Sequence, residues 1–396
     1  MDPSREVAAF RALLTAEGAA LLARIPPYDG EQALATAAAL RRDGVDADIA
    51  AAALTQARLR ARARAKLGAD AARLWFTADG LEQATRPGVA AGHAERFARA
   101  AVERVADLCC GIGGDLVPLA GAARSGAVGV DRDPLTVAVA EANAAVLGAG
   151  DRVELRCEDV ADTDLAGVDG VFVDPARRGG GRRALDPRSW SPPFSFVLDV
   201  AARVPATGAK LAPGIPHGVL PLDAEAEWVS DGGDVVECAL WCGPLATGVR
   251  RRATLLPSGA TMSGDGTRRG VVGPVGRYLV EPDGAVIRAG LVAEAADLVD
   301  GRLLDPTIAY LTCEHRPSTP FGTAYEVTDV LPFGLKRLRT LLRERGVGRL
   351  TVKKRGTAVQ PEALRAQLRL RGDAEATVVL TRVAGQQSVL LVERLP

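Results

Sequence analysis

Four aspartates recur at the same kind of place along the middle of the chain. Asp107 lies in "VADLCCGIGGD", Asp131 closes "AVGVD", Asp159 sits in "RCEDV" and Asp174 opens "DPARR". Each ends or follows a short apolar run, the pattern of a buried strand. Carboxylates at successive strand ends can accept charge-assisted hydrogen bonds from the hydroxyls and amino group of a nucleoside. The first acid is followed by Gly111, Gly113 and Gly114, so backbone can pass close to a ligand where side chains would obstruct it.

Three nucleotide loops compete for this turn. A phosphate-binding P-loop needs Lys and Ser or Thr after its last glycine, and neither is present. A dinucleotide loop wants Gly or Ala at the sixth position from Gly111, where this chain has Leu116. The third is the loop that holds S-adenosylmethionine (SAM), with an acid closing the first strand. Asp131 would accept the ribose hydroxyls in either cofactor, so it does not separate a methyltransferase from a nicotinamide-dependent oxidoreductase. Asp159 and Val160, placed for the adenine, and Asp174 with Pro175, placed for the methyl acceptor, favour SAM.

The cysteines point to no metal. Six are present, none in a CxxC pair, and there are only three histidines. Two ligand pairs at short spacing, as zinc sites use, are missing. Free thiols in a reducing compartment are expected. Cys109 belongs to the cofactor turn and not to nucleophilic chemistry, and His93 reads as a packed or capping helix residue.

These residues need a scaffold. From about residue 103 short apolar runs alternate with helical spacing: "RVADLC", "AVGVD", "RVELRCEDV", "GVDGVFVDPARR" and "AKLAPGI" read as strands. "DVVECALWCG" and "VRRATLLPSG" read as a closing pair. Repeated βα units imply a parallel sheet with helices on both faces and its ligands at the carboxyl ends of the strands. The expected fold is therefore α/β, a Rossmann-like methyltransferase sheet over 99–262. A helical region rich in Ala, Leu and Arg precedes it over 1–98, and a small α/β domain follows over 263–396. "MSGDGTRRGVVGP" reads as the linker into that last part.

Formal net charge is zero, but it is unevenly spread: residues 331–396 hold 14 Lys and Arg against 5 Asp and Glu. Such a basic end can mark a nucleic-acid surface. No run reaches the roughly 18 apolar residues of a membrane span, and no signal-peptide pattern opens the chain, so a cytoplasmic protein is expected.

"DLCCGIGGD", "GVDRDP", "CEDV" and "DPARR" resemble the successive motifs of class I SAM-dependent methyltransferases, and most of all the RNA methyltransferases of the trimethylguanosine synthase type. The likeness extends upstream to "LWFTADGLEQATRPGVAAGH", where Trp75, Phe76, Thr85, Pro87 and His93 match in kind. It implies that this segment folds over the cofactor with Thr85 in contact, and that Asp107, Cys109, Gly111, Gly113, Asp131, Asp159 and Val160 line the cofactor site. "LTVKKRG" is similar to the THUMP-like domains of bacterial methyltransferases, which implies RNA binding, to tRNA or rRNA, with Lys353, Lys354 and Arg355 tracking a phosphate backbone. One feature departs from the family. Enzymes that methylate exocyclic amines place an aromatic after the Asp-Pro pair, and this chain has Ala176, Arg177 and Arg178 there. Trp190 or Phe194 is the expected substitute for stacking, and Arg177 and Arg178 the expected phosphate contacts. The missing aromatic also leaves open an RNA-binding protein that keeps the fold without catalysis.

Overall fold

A computed structural model of the chain describes residues 3–176, 178–179, 182–183 and 186–396. The chain forms two compact units, residues 1–224 with 239–247, and residues 225–238 with 248–396.

In the first unit four helices come first: α1 (Pro3–Ala12), α2 (Ala16–Arg24), α3 (Ala33–Arg42) and α4 (Ala47–Leu67). The Asp46 carboxylate caps α4 by accepting from the N–H groups of Asp48 and Ile49 at 2.9 and 3.1 Å, and Gly68 ends it at a positive φ of 61°. Two more helices follow, α5 (Ala78–Gln83) and α6 (Pro87–Arg99). The sheet then begins, with β1 (Val105–Leu108), α7 (Leu116–Ala122), β2 (Ala127–Asp131), α8 (Pro134–Val146), β3 (Val153–Cys157) and β4 (Gly170–Val173). A two-residue pair, β5 (Arg178–Gly179) with β6 (Arg182–Arg183), precedes α9 (Phe194–Arg203) and β7 (Ala206–Leu211).

The strand order β7-β4-β1-β2-β3 is parallel throughout, with Val105 opposite both Ala127 and Gly170. The chain turns to one side of β1 for β2 and to the other for β4. Their carboxyl ends therefore diverge into a crevice, the place where open α/β sheets bind ligands. β1 and β4 are buried along their whole length, which suits the unbroken apolar run of β4, while β1 is apolar except for Asp107. The N-terminal helices are not a separate module: Phe10, Leu13, Leu59 and Ala63 share one core with Ala138, Val139 and Ala142 of α8. Each fully buried leucine of this kind contributes about 1.5–3 kcal/mol.

The second unit pairs β8 (Glu225–Asp231) parallel to β10 (Arg251–Leu256), and β10 antiparallel to β11 (Ala260–Gly264). Between them in sequence lies β9 (Asp234–Trp241), inside which the division between the units falls. The elements after β11 are β12 (Tyr278–Pro282), α10 (Gly284–Ala289), α11 (Val292–Leu298), β13 (Arg302–Asp305), β14 (Ile308–Cys313), β15 (Gly322–Pro332), α12 (Leu335–Glu344), β16 (Val347–Lys354), α13 (Pro361–Leu368), β17 (Ala374–Val383) and β18 (Gln386–Arg394). They form a seven-stranded sheet of order β13-β14-β12-β15-β18-β17-β16. Leu338, Leu342, Leu364 and Leu368 of α12 and α13 pack on one face of it, against Val378, Leu380, Val389 and Leu391.

The α/β architecture is the expected one. Three local readings change. "EAEWVSD" is a buried strand, β8, that the sequence reading left unassigned. The segment read as a linker begins inside β11, with Met262 opposite Ala253. β12 to β15 supply four of the seven strands of the second sheet, and no strand was expected there.

Candidate active site

The glycine turn leaves β1 through a left-handed bend, with φ of 66° at Cys109, 55° at Gly111 and 88° at Gly113. The Cys110 N–H donates to the Val130 carbonyl at 3.0 Å, which keeps the turn against the end of β2. Gly111 N–H donates to Asp131 Oδ2 at 3.2 Å, and Asp133 N–H to Asp131 Oδ1 at 3.0 Å. Burial pushes the Asp131 carboxyl up, and these backbone donors oppose the shift. A Cβ on Gly111 would meet nothing within 4 Å, whereas one on Gly114 would stand 3.5 Å from Thr85 N. The bend is thus open at Gly111 and covered at Gly114.

Asp107 lies beneath it, 1% exposed, and neither carboxylate oxygen accepts a hydrogen bond. Its pKa is raised well above the ordinary carboxylate range, first by burial and then by the nearby charges of Asp115 and Asp174. A buried carboxylate without a donor is costly until a cation meets it. An ammonium-bearing ligand such as SAM fits this position.

Around it runs a buried polar chain. Asp115 accepts from Thr85 Oγ1, and its Oδ1 lies 2.8 Å from His93 Nδ1. Burial alone would raise the Asp115 carboxyl, but His93, Lys210 and the Thr85 hydroxyl outweigh it and hold the pKa low. The His93 ring is 2% exposed and lies 4.8 Å, centroid to centroid, from Phe172 of β4. Lys210, next to the carboxyl end of β7, donates to Thr85 Oγ1 at 2.9 Å and to Asp174 Oδ2 at 2.6 Å. Lys66 of α4 donates to the carbonyls of Leu81 and Glu82 at 3.0 Å each, and burial with the adjacent Lys210 and Arg86 lowers its pKa to about 8.

The segment over the turn is anchored by two buried amides. Gln56 Nε2 donates to the Phe76 carbonyl at 2.8 Å and its Oε1 accepts from Phe76 N–H at 3.1 Å. Asn143 of α8 grips Trp75 in the same manner.

Similarity to known proteins fits this geometry. The chain is 38% identical over 334 residues, 82% of its length, to an uncharacterized S-adenosylmethionine-dependent methyltransferase of Mycobacterium tuberculosis strain CDC 1551 / Oshkosh, of which the match covers 90%. The protein of the same description from strain ATCC 25618 / H37Rv matches to the same extent. The chain belongs to the S-adenosylmethionine-dependent methyltransferases. Its cofactor is therefore SAM, and the nicotinamide reading is set aside. The crystal structure of a Porphyromonas gingivalis W83 protein named as a methyltransferase superposes with a TM-score of 0.72 at 22% identity, over 93% of this chain and 99% of that one, and so shares the fold. Residues 322–394 match the family described as THUMP domain-like, and residues 6–63 match a domain of unknown function, DUF8688.

The remaining sequence-predicted residues of the methyltransferase fall in several places. Asp107, Cys109, Gly111, Gly113, Asp131 and Thr85 come together around the turn. Cys109 is half-buried and its thiol pKa is pushed well up, first by burial and then by neighbouring carboxylates, which disfavours the thiolate. Asp159 and Val160 follow β3, where Asp159 is exposed and its Oδ1 accepts from Ala161 N–H at 3.0 Å. Asp174 and Pro175 lie just past β4. Arg177 lies outside the described residues, and Arg178 is described only as backbone of β5. Trp190 is 3% exposed and packs edge-on against Phe194 with centroids 6.4 Å apart, so its ring serves the core and offers no open face to a base.

In the second unit Lys353 and Arg355 share one carboxylate, Glu281, at 2.6 and 3.4 Å. Each lies over a tyrosine ring, Tyr325 and Tyr310. Lys354 donates to the Val359 carbonyl and to Gln360 Oε1. The three cations, which the sequence suggested for a phosphate backbone, thus have protein partners on or beside β16, an edge strand of the sheet.

Sequence reading missed Asp115, Lys210, Lys66, Gln56 and Asn143, and placed His93 as a packed or capping residue without its bond to Asp115. Lys210 carried a signal, a lone lysine inside an otherwise apolar strand. The others carried none, because their partners lie at least 15 residues away in sequence.

Proposed function

We propose that this methyltransferase modifies RNA at a base nitrogen. Asp174 carries the reading. Its carboxylate is ion-paired at the carboxyl end of β4, next to the glycine turn. Such a group accepts a hydrogen bond from an amine N–H, turns the nitrogen lone pair toward the methyl donor and stabilises the positive charge that grows on nitrogen during attack. SAM, when bound, supplies a methyl group activated by its sulfonium sulfur. The protein's part is mainly alignment, which can contribute about 7–11 kcal/mol.

In this reading Asp131 takes the ribose hydroxyls, and Asp159 with the Val160 backbone takes the adenine. Asp107 takes the methionine ammonium, and the backbone of Cys109, Gly111 and Gly113 passes beside it under Thr85. The THUMP-like segment and its excess of basic residues support RNA as the acceptor. Lys353 and Arg355 would exchange Glu281 for phosphates.

The test is mass spectrometry of RNA nucleosides from a strain lacking the gene. One methylated nucleoside should disappear and return on complementation. An unchanged nucleoside profile would reject RNA as the acceptor and leave the fold to a non-catalytic RNA-binding role or to another acceptor.

A further inference from the structure

Lys210 stands at the middle of the buried polar chain. β7 is buried along its length, and a lysine there costs desolvation energy unless its ammonium is fully bonded. The Nζ atom reaches Asp174 Oδ2 at 2.6 Å, Thr85 Oγ1 at 2.9 Å and the Gln83 carbonyl at 3.4 Å. Three donors thus meet three acceptors from two different segments. Thr85 in turn donates to Asp115, the acid that follows the glycine turn.

We infer that Lys210 is a positioning residue for methyl transfer, holding Asp174 ionised and fixed relative to the segment that covers the cofactor turn. The inference rests on the reading of Asp174 as the group that holds the acceptor.

Asp174 faces other carboxylates: Asp107 of β1 and Asp115 ahead of α7 both act on the same buried region. Glu82 of α5 lies within reach of Lys66, and the Cys109 thiol sits beside Asp107 and Asp174. Against them stand Lys210 and, farther along the chain of contacts, His93 of α6, Lys66 of α4 and Arg86. Lys210 bonds Asp174 directly, at 2.6 Å. Taking that ammonium away leaves clustered like charges in a low-dielectric site, and like charges at close range raise one another's pKa.

Two readouts test this. Carboxyl carbon NMR of aspartate-labelled protein, with Asp174→Asn to assign the resonance, follows the Asp174 titration directly. Lys210→Met should raise it by at least about one pH unit, and an unmoved titration would overturn the inference. Initial rates with RNA from a deletion strain give the second. Lys210→Met should lower kcat about 100-fold, leave SAH affinity by calorimetry near wild type, and add an ascending limb as pH rises and Asp174 ionises. Lys210→Arg keeps the charge but not the compact three-way bonding, so it should restore the flat profile and only part of the rate. Wild-type kcat in both variants would overturn the inference. If Lys210→Met does not fold, unchanged kcat in Lys210→Arg does so. If wild-type protein labels no RNA, the acceptor proposed above is wrong, while the NMR titration still decides the role of Lys210.

Discussion

The side-chain amide of Asn143 holds the backbone of Trp75 on both sides, accepting from its N–H at 2.8 Å and donating to its carbonyl at 3.0 Å. The same Nδ2 donates to the Ile112 carbonyl in the glycine turn at 2.9 Å. One residue of α8 therefore joins the covering segment to the floor beneath it. Asn143→Leu leaves three buried backbone groups unpaired, each at about 1–3 kcal/mol. Urea denaturation should show a loss of at least about 2 kcal/mol. A change within about 0.5 kcal/mol, as at an ordinary surface position, would contradict this joint.

Asp107 should oppose folding and favour binding. Its folded pKa lies well above the unfolded one, chiefly through burial. The native state therefore holds its proton more tightly. The resulting penalty is absent below the unfolded pKa and grows as pH rises toward and through the folded value. Asp107→Asn removes that penalty, so ligand-free protein at neutral pH should melt higher by about 2 °C or more. SAM affinity, by calorimetry, should fall in the same variant. Lower melting together with intact SAM binding would show that Asp107 serves the core instead.

The scaffold was legible where burial speaks through composition. β1, β2 and β4 are mainly apolar because both faces of a parallel sheet are covered, and an aspartate stands at or beside the carboxyl end of each. β8 hid behind its charges: Glu225 and Glu227 look like loop residues in "EAEWVSD". In the folded chain Glu225 Oε1 accepts from Arg252 Nε at 2.7 Å and Glu227 from the Thr254 hydroxyl, both across the β8–β10 pair. The site was legible as far as its glycines and strand-end acids. Its bonding was not, since Lys210 meets Asp174 across 36 residues and Thr85 across 125. Only the strand order brings them together.

Glu281 should restrain RNA binding. It pairs with both Lys353 and Arg355, which must leave it to contact phosphates. Glu281→Gln keeps the shape and removes the competing charge. RNA affinity should rise and its salt dependence steepen, by about 0.7 in logarithmic slope for each cation engaged on a single strand. Fluorescence anisotropy over a salt series reads both quantities. Identical slopes in wild type and variant would assign these cations to holding the sheet together.

The most direct test of the account is transfer of tritiated methyl from SAM to RNA from a deletion strain, by wild-type protein and by Asp174→Asn, with SAH affinity measured on both. Wild type should place label in RNA, the variant should do so at least about 100-fold more slowly, and the two should bind SAH with similar affinity. Label transferred equally well without the Asp174 charge, or label found in protein and not in RNA, would contradict it.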